Sequence, residues 1–98
     1  MITKAKALST ISDELQKKSP ADNPFVVVDS ATIERPFGWV FFYNSKKFVE
    51  TGVNKYRLAG NGPVVVNKRS GKVEFFGSNR PVQQIIDEYD RKFTDGEW

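Results

Sequence analysis

The sequence predicts an α+β fold, in which a four-stranded antiparallel sheet carries an N-terminal and a C-terminal helix packed on one face. Three observations predict it. Apolar residues recur with helical spacing at both ends of the chain, four strand-like runs lie between them, and a short turn separates the last two runs. At 98 residues the chain has the size of one domain with one modest core, and we expect residues 1–98 to form it.

Residues 3–18 are predicted to form the first helix. Leu8, Ile11 and Leu15 recur at spacings of three and four, which places them on one helical face. Thr3 precedes this stripe and is a predicted N-cap. The helix is expected to end before the prolines and polar residues that follow it.

Residues 25–34 and 39–43 are predicted to be the first two strands, because both are rich in β-branched and aromatic residues. A turn at 35–38 joins them, so we expect an antiparallel hairpin. Residues 44–57, called the excursion below, mix loop-forming and apolar residues. They are predicted to be an irregular segment with a helical turn, partly packed against the sheet.

Residues 64–66 and 73–76 predict the third and fourth strands, which form a second hairpin. The intervening turn contains Gly71, which can adopt the positive φ that a longer hairpin loop needs. Upstream, Pro63 is expected at the first residue of its strand, because proline cannot donate to a ladder.

The last helix is predicted around Pro81, which suits a first turn, with Ser78 or Asn79 as the N-cap. Residues 94–98 are expected to form a frayed tail. The apolar stripe of this helix consists of Val82, Ile85, Ile86, Tyr89 and Phe93.

Apolar residues alternate onto both faces of the second strand. Trp39, Phe41 and Tyr43 point to one face, whereas Val40 and Phe42 point to the other. Two helices on one face leave the second face to be explained. Either the excursion covers it, or part of it stays open as a partner-binding surface.

Composition limits the chemistry that the chain can perform. Fifteen Lys and Arg residues face twelve Asp and Glu residues, a formal net charge of +3, and the chain has neither histidine nor cysteine. Zinc sites of the usual kinds and Ser-His or Cys-His nucleophiles are therefore excluded. Glycines at 60, 62 and 71 fit neither a dinucleotide loop nor a P-loop, so no cofactor or metal is expected. We find no signal peptide or membrane span and expect a cytoplasmic protein without a membrane partner.

Several short motifs stand in a fixed order between residues 25 and 90. They are Gly38-Trp39-Val40-Phe41-Phe42-Tyr43, Thr51-Gly52, Leu58-Ala59-Gly60-Asn61-Gly62-Pro63, Asn67-Lys68-x-Ser70-Gly71-x-Val73, and Gly77-Ser78-x-x-Pro81 followed by Ile85, Ile86 and Tyr89. In this order and spacing they resemble the immunity protein 35 (YrhB-type) domain family. The family tends to have Asp where this chain has Asn67, and either side chain can make the turn.

The resemblance implies a small bacterial, cytoplasmic immunity protein of a polymorphic toxin system. Such a protein binds its cognate protein toxin, expected to be through the toxin's C-terminal domain, and neutralises it by occlusion without catalysis. The family has no catalytic motif to transfer to this chain, and its matching residues belong to the framework.

Six residues are predicted to contact the toxin, on the basis of residue type and expected exposure in loops. They are Arg35 and Phe37 in the first turn, Phe48 and Tyr56 in the excursion, and Lys68 and Arg69 in the hairpin turn.

Other functions are open at this point. A chaperone-like holdase would bind apolar segments of many clients, and a carboxylate-dependent enzyme would need a cleft with a perturbed Asp or Glu. Basic and aromatic residues could also bind nucleic acid, but no RNP, KH or helix-turn-helix signature supports that function. The sequence leaves open whether the chain forms a homodimer.

Overall fold

The computed structural model describes residues 1–96, so Glu97 and Trp98 of the predicted tail lie outside the described residues. Within these residues the chain forms three α-helices and six strands. In order they are α1 (Lys4–Lys18), β1 (Phe25–Val27), β2 (Ile33–Arg35), β3 (Gly38–Phe41), β4 (Tyr43–Ser45), α2 (Lys46–Thr51), β5 (Asn61–Asn67), β6 (Val73–Gly77) and α3 (Val82–Thr94). Two short 3-10 turns occupy Asp29–Ala31 and Asn54–Tyr56.

The predicted α+β class with N- and C-terminal helices is confirmed. Four strands form an antiparallel sheet in the order β2-β3-β5-β6, and β1 and β4 pair separately as a two-stranded antiparallel sheet. In the larger sheet Gly38 pairs with Asn67 at one end of β3, and Phe41 pairs with Val64 at the other. The predicted second hairpin is the β5–β6 pair.

The two terminal helices lie on opposite faces of the four-stranded sheet, so their predicted packing on one face is wrong. Ile11 and Leu15 of α1 pack against one set of strand residues, and Ile85 and Tyr89 of α3 pack against the other. The first set is Trp39, Phe41, Val64 and Val66, and the second set includes Val40 and Val65. Because β3 and β5 are apolar at consecutive positions, each face needs its own cover.

This arrangement contradicts both explanations for the centre of the second face. Val40 and Val65 are fully buried, and they lie beneath α3. The excursion contacts β1 and β4 instead. α3 therefore covers the centre of this face. The excursion does not cover it and it is not open to a partner, so both earlier explanations are wrong there.

The predicted strand over residues 25–34 is interrupted. The 3-10 turn at Asp29–Ala31 separates β1 from β2, and the two strands join different sheets. Asp29 and Ser30 favour such turns because their short polar side chains compete for backbone hydrogen bonds. The next strand breaks at Phe42, whose carbonyl accepts a 2.8 Å hydrogen bond from the Val28 amide, which bridges the two breaks.

The predicted N-cap is confirmed for α1 but not for α3. The Thr3 hydroxyl accepts a hydrogen bond from the Lys6 amide, as expected of an N-cap. At α3 the predicted cap is wrong, because Pro81 itself occupies the N-cap position and its side chain makes no capping hydrogen bond. Ser78 and Asn79 lie too far upstream to reach the first turn.

The turn between β5 and β6 is built as the sequence predicts. Gly71 has a φ of +77°. The Asn67 carboxamide oxygen accepts hydrogen bonds from the Arg69 amide at 2.7 Å and the Ser70 amide at 3.0 Å, so Asn67 makes the turn. Pro63 does not begin its strand, which starts at Asn61 with an irregular register before Val64.

The excursion is more regular than predicted, since it contains α2 and a 3-10 turn. Buried Ser45 is the N-cap of α2, and its hydroxyl accepts a hydrogen bond from the Phe48 amide at 3.1 Å and donates one to the Tyr56 carbonyl at 2.5 Å. One side chain therefore ties the beginning of the excursion to its end. Within residues 1–96 we find no helix long and apolar enough to cross a bilayer.

Candidate partner-binding surface

The six predicted contact residues do not form one surface. Four of them lie where β3 begins, namely Arg35, Phe37, Lys68 and Arg69, and we call this region the hairpin end. A 2.9 Å hydrogen bond from the Lys68 amide to the Phe37 carbonyl joins its two turns. Phe48 and Tyr56 follow β4, beyond the other end of β3.

Phe37 is fully buried, so the expectation that it is exposed in a loop is wrong. Its ring lies 6.0 Å from the Tyr89 ring, inside the core beneath α3. The turn before β3 directs this side chain onto the face that α3 covers. Phe37 therefore stabilises the fold and is not available to a partner in this structure.

The cations of the hairpin end contact groups of the protein itself. Two guanidinium nitrogens of Arg35 donate to the two carboxylate oxygens of Asp90, and these bonds raise the pKa of Arg35. The Arg69 guanidinium stacks 4.2 Å from the centre of the Phe93 ring. The Lys68 ammonium lies 5.8 Å from the Trp39 ring.

The excursion carries the positive charge of the molecule. It has four basic side chains, Lys46, Lys47, Lys55 and Arg57, and one acidic side chain, Glu50. Its excess of three equals the formal net charge of the whole chain, so the remaining residues are balanced. Within residues 1–96 none of these four cations forms a salt bridge. Lys46, Lys55 and Arg57 are exposed and Lys47 is half-buried, so most of this charge faces solvent without a carboxylate partner.

Aromatic and aliphatic side chains accompany these cations. The ammonium groups of Lys47 and Lys55 lie 5.4 and 5.0 Å from the centre of the Tyr56 ring, which holds them near each other. Val49 is 46% exposed and Val53 is 44% exposed. In the part of the chain that the structure describes, Met1 is the one other large apolar residue with comparable exposure. Aromatic and arginine side chains, here Tyr56 and Arg57, are enriched at protein-binding surfaces.

A groove of about 670 Å³, called the groove between the excursion and β4 below, is lined by residues from segments 42–44 and 54–61 and by Val28, Ala31 and Ser78. Arg57 is the one charged residue among its described lining residues, which include no Asp or Glu. The polar side chains on its walls are those of Tyr43, Asn44, Asn54, Asn61 and Ser78. A smaller hollow of about 310 Å³ adjoins it and shares Phe42, Tyr43, Asn61 and Ser78.

Two amide side chains hold the walls of the groove in place. The Asn44 carboxamide oxygen accepts hydrogen bonds from the Ser45 and Leu58 amides at 2.9 and 3.0 Å, which attaches the end of the excursion to β4. Asn61 donates a 2.9 Å hydrogen bond to the Tyr43 carbonyl. Burial raises the pKa of Tyr43, whose ring packs against the Phe25 and Phe75 rings.

Ionisable residues in and next to α3 support the fold. The buried Tyr89 hydroxyl donates to the Glu74 carboxylate, and burial raises the pKa of this phenol further than the carboxylate does. Arg80 and Lys92 both bind Glu88, which lowers the pKa of Glu88. Within residues 1–96 no three His, Cys, Asp or Glu side chains are grouped as metal ligands. The Tyr89–Glu74 hydrogen bond holds α3 against β6, and the Lys92–Glu88 pair stabilises α3 internally.

Sequence reasoning missed the groove and its one charged lining residue, Arg57. A signal for this region was present, since residues 44–57 contain four cations and one carboxylate. The groove itself had no signal. The groove depends on the breaks at Asp29–Ala31 and Phe42, and on the Asn44 and Asn61 side chains, which join residues 58–61 to β4.

Comparison with known proteins gives two matches. The family model for immunity protein 35 matches residues 5–91 of the chain. The Escherichia coli (strain K12) protein named "Uncharacterized protein YrhB" is 33% identical over 72 residues, which cover 74% of this chain and 74% of that protein. No solved structure matches the chain.

Proposed function

Because the chain belongs to the immunity protein 35 family, we propose that it is a bacterial cytoplasmic immunity protein that binds a cognate protein toxin and neutralises it by occlusion. The observation that carries this proposal is the family match over residues 5–91, which spans all six strands and most of both terminal helices. In this proposal the protein acts by contact and catalyses no reaction.

The excursion and its groove are the proposed toxin-binding surface. Its four cations have no carboxylate partner within residues 1–96, and two exposed valines lie among them. At the hairpin end, Arg35 and Arg69 already contact α3. Of the six predicted contacts, Phe48 and Tyr56 are therefore proposed as toxin contacts.

Binding at this surface would follow the usual division of labour at protein interfaces. Aromatic and arginine side chains near the centre contribute most of the affinity when they become desolvated, and Tyr56 and Arg57 are of these types. Lysines at the rim accelerate association with a partner of opposite charge and set the orientation of the encounter.

Co-expression tests this proposal. The chain is produced together with the C-terminal domain of the toxin encoded by the neighbouring gene, and cell survival and co-purification are measured. A triple alanine variant at Phe48, Tyr56 and Arg57 should lose both. The matched triple variant at Arg35, Lys68 and Arg69 should keep both.

Two different results would contradict different parts of the proposal. If the unaltered chain neither protects cells nor co-purifies with the toxin domain, the immunity function is wrong for this toxin pair. If the hairpin-end variant loses protection while the excursion variant keeps it, the function stands and the surface is wrong. Circular dichroism establishes that each variant is folded.

The holdase alternative gains no support from the fold. Promiscuous binding of clients requires broad exposed apolar surface. Among the described residues only Met1, Val49 and Val53 are large, apolar and substantially exposed.

A further inference from the structure

We propose that the groove between the excursion and β4 receives an extended, acidic segment of the toxin. This inference rests on the proposed function and names the chemistry of the partner. It is carried by the charge of the groove, by the hydrogen-bonding groups on its walls and by its continuity with the smaller hollow.

The charge argument concerns both the groove and its surroundings. Arg57 lines the groove, and no described lining residue of either hollow is Asp or Glu. Lys46, Lys47 and Lys55 belong to the same segment and have no salt bridge within residues 1–96. Glu50 is the one carboxylate of this segment, and Asp29, which lies between the lining residues Val28 and Ala31, is paired with Lys4. A carboxylate entering here would therefore meet a net positive potential.

The walls offer hydrogen-bonding groups as well as charge. Arg57 presents a guanidinium, which suits bidentate contact with a carboxylate. Asn54 and Ser78 are further polar lining residues. Asn44 and Asn61 use part of their capacity to hold the walls, so the groove is formed before a ligand arrives.

The shape favours an extended chain over a compact ligand. The groove of about 670 Å³ continues into the hollow of about 310 Å³ through four shared lining residues. The lining of the second hollow includes apolar residues such as Pro63, Pro81 and Val82, and its one charged lining residue, Arg80, binds Glu88. A segment that places carboxylates near Arg57 and an apolar side chain beyond Phe42 would match both parts.

Nucleic acid shares the negative charge but fits these features less well. Grooves that bind single strands combine several cations along the backbone with exposed aromatic platforms for bases. Here the two aromatic residues that line the larger groove are already packed, since Tyr43 lies against the Phe25 and Phe75 rings and Phe42 packs against the core beneath α3. A protein segment with spaced carboxylates therefore suits the groove better than continuous phosphates.

The test uses the full chain labelled with ¹⁵N and a synthetic hexaglutamate peptide as the probe. Saturable shifts in the amide spectrum are expected for residues lining the groove, in segments 42–44 and 54–61. Hexaglutamine, of equal length without charge, should cause much smaller shifts. Arg57→Glu should weaken hexaglutamate binding by about tenfold or more, because it reverses the one charge that lines the groove.

Arg91→Glu is the matched control, since it makes the same charge change at an exposed position of α3 that has no salt bridge within residues 1–96. It should leave hexaglutamate binding nearly unchanged. Equal loss in both variants would overturn the inference, as would shifts spread over the whole surface or tighter binding of hexathymidylate than of hexaglutamate. Arg57 is exposed, and thermal unfolding of both variants verifies that they fold.

The outcome is separable from that of the proposed function. Neutralisation of the toxin in cells, with Arg57→Glu as effective as the unaltered chain, would overturn the acidic segment and leave the immunity function standing. Specific hexaglutamate binding in the groove without toxin neutralisation would support the groove and contradict the immunity function.

Discussion

Gly38 and Gly52 both have positive φ angles, but their surroundings differ. Gly38 has a φ of +146°, and a Cβ there would lie 1.9 Å from the Val66 carbonyl oxygen. Gly52 has a φ of +72° at the C-cap of α2, and nothing lies within 4 Å of a Cβ there. The first position requires glycine for both conformation and space, and the second for conformation alone.

Alanine substitutions at these glycines should therefore differ in cost. Gly38→Ala should lower the free energy of unfolding by at least about 3 kcal/mol, because backbone must shift against backbone. Gly52→Ala should cost about 1 kcal/mol, the strain of a left-handed residue. Urea unfolding of the two variants measures both values. Similar losses at the two positions would show that β3 and β5 are not as close as described.

Glu88 gives the molecule a defined pH dependence. Hydrogen bonds from Arg80 and then Lys92 lower its pKa below the ordinary value of 4.5. A depressed carboxylate pKa stabilises the folded state above the unfolded pKa, and this stabilisation is lost as pH falls through the folded pKa. Glu88→Gln should thus be less stable than the unaltered chain at pH 7, and the difference should shrink below about pH 4.5.

Chemical unfolding of the two proteins between pH 7 and strongly acidic pH measures this difference. Glu50→Gln is the control, because it removes an exposed carboxylate that has no salt bridge within residues 1–96. A gap between Glu88→Gln and the unaltered chain that stays constant across the whole range would argue against the Arg80–Glu88–Lys92 contacts.

At the scale of elements, α1 and α3 occupy opposite faces of the sheet, and a double-mutant cycle can detect this. Ile85 of α3 shares a core with Val65, whereas Val66 faces α1. Ile85→Val and Val65→Ala should be coupled by at least about 0.5 kcal/mol, since both remove atoms from one packed cluster. Ile85→Val and Val66→Ala should be additive. Coupling in the second pair with additivity in the first would place α3 on the other face.

Many of the helices and strands were predictable from the sequence, and the wrong predictions have physical causes. The apolar stripes of residues 3–18 and 82–93 predicted both terminal helices, and Gly71 marked the hairpin turn. Periodicity shows that a helix has an apolar face but not which side of a sheet receives it. The interruption at Asp29–Ala31 depends on pairing between β1 and β4, which lie apart in sequence.

At the scale of the whole molecule, the binding surface was less predictable than the fold. Exposed loop placement suggested Phe37, but burial depends on where the turn directs its ring, beneath α3. Arg35, Lys68 and Arg69 were predicted by residue type, yet the structure gives each an intramolecular contact. The excess charge of residues 44–57 is visible in the sequence. The groove beside these residues is not visible in the sequence, because it arises from contacts between segments that lie far apart in the chain.

The central claim is that this protein neutralises a toxin by binding and occluding it. A stoichiometric titration tests that claim most directly. Toxin activity is measured at a fixed toxin concentration far above the dissociation constant, while the protein is added in steps. The account predicts a linear fall that ends at one equivalent and does not change with the time of incubation. Progressive inactivation by a small fraction of an equivalent, abolished by substitution of one acidic side chain, would contradict it.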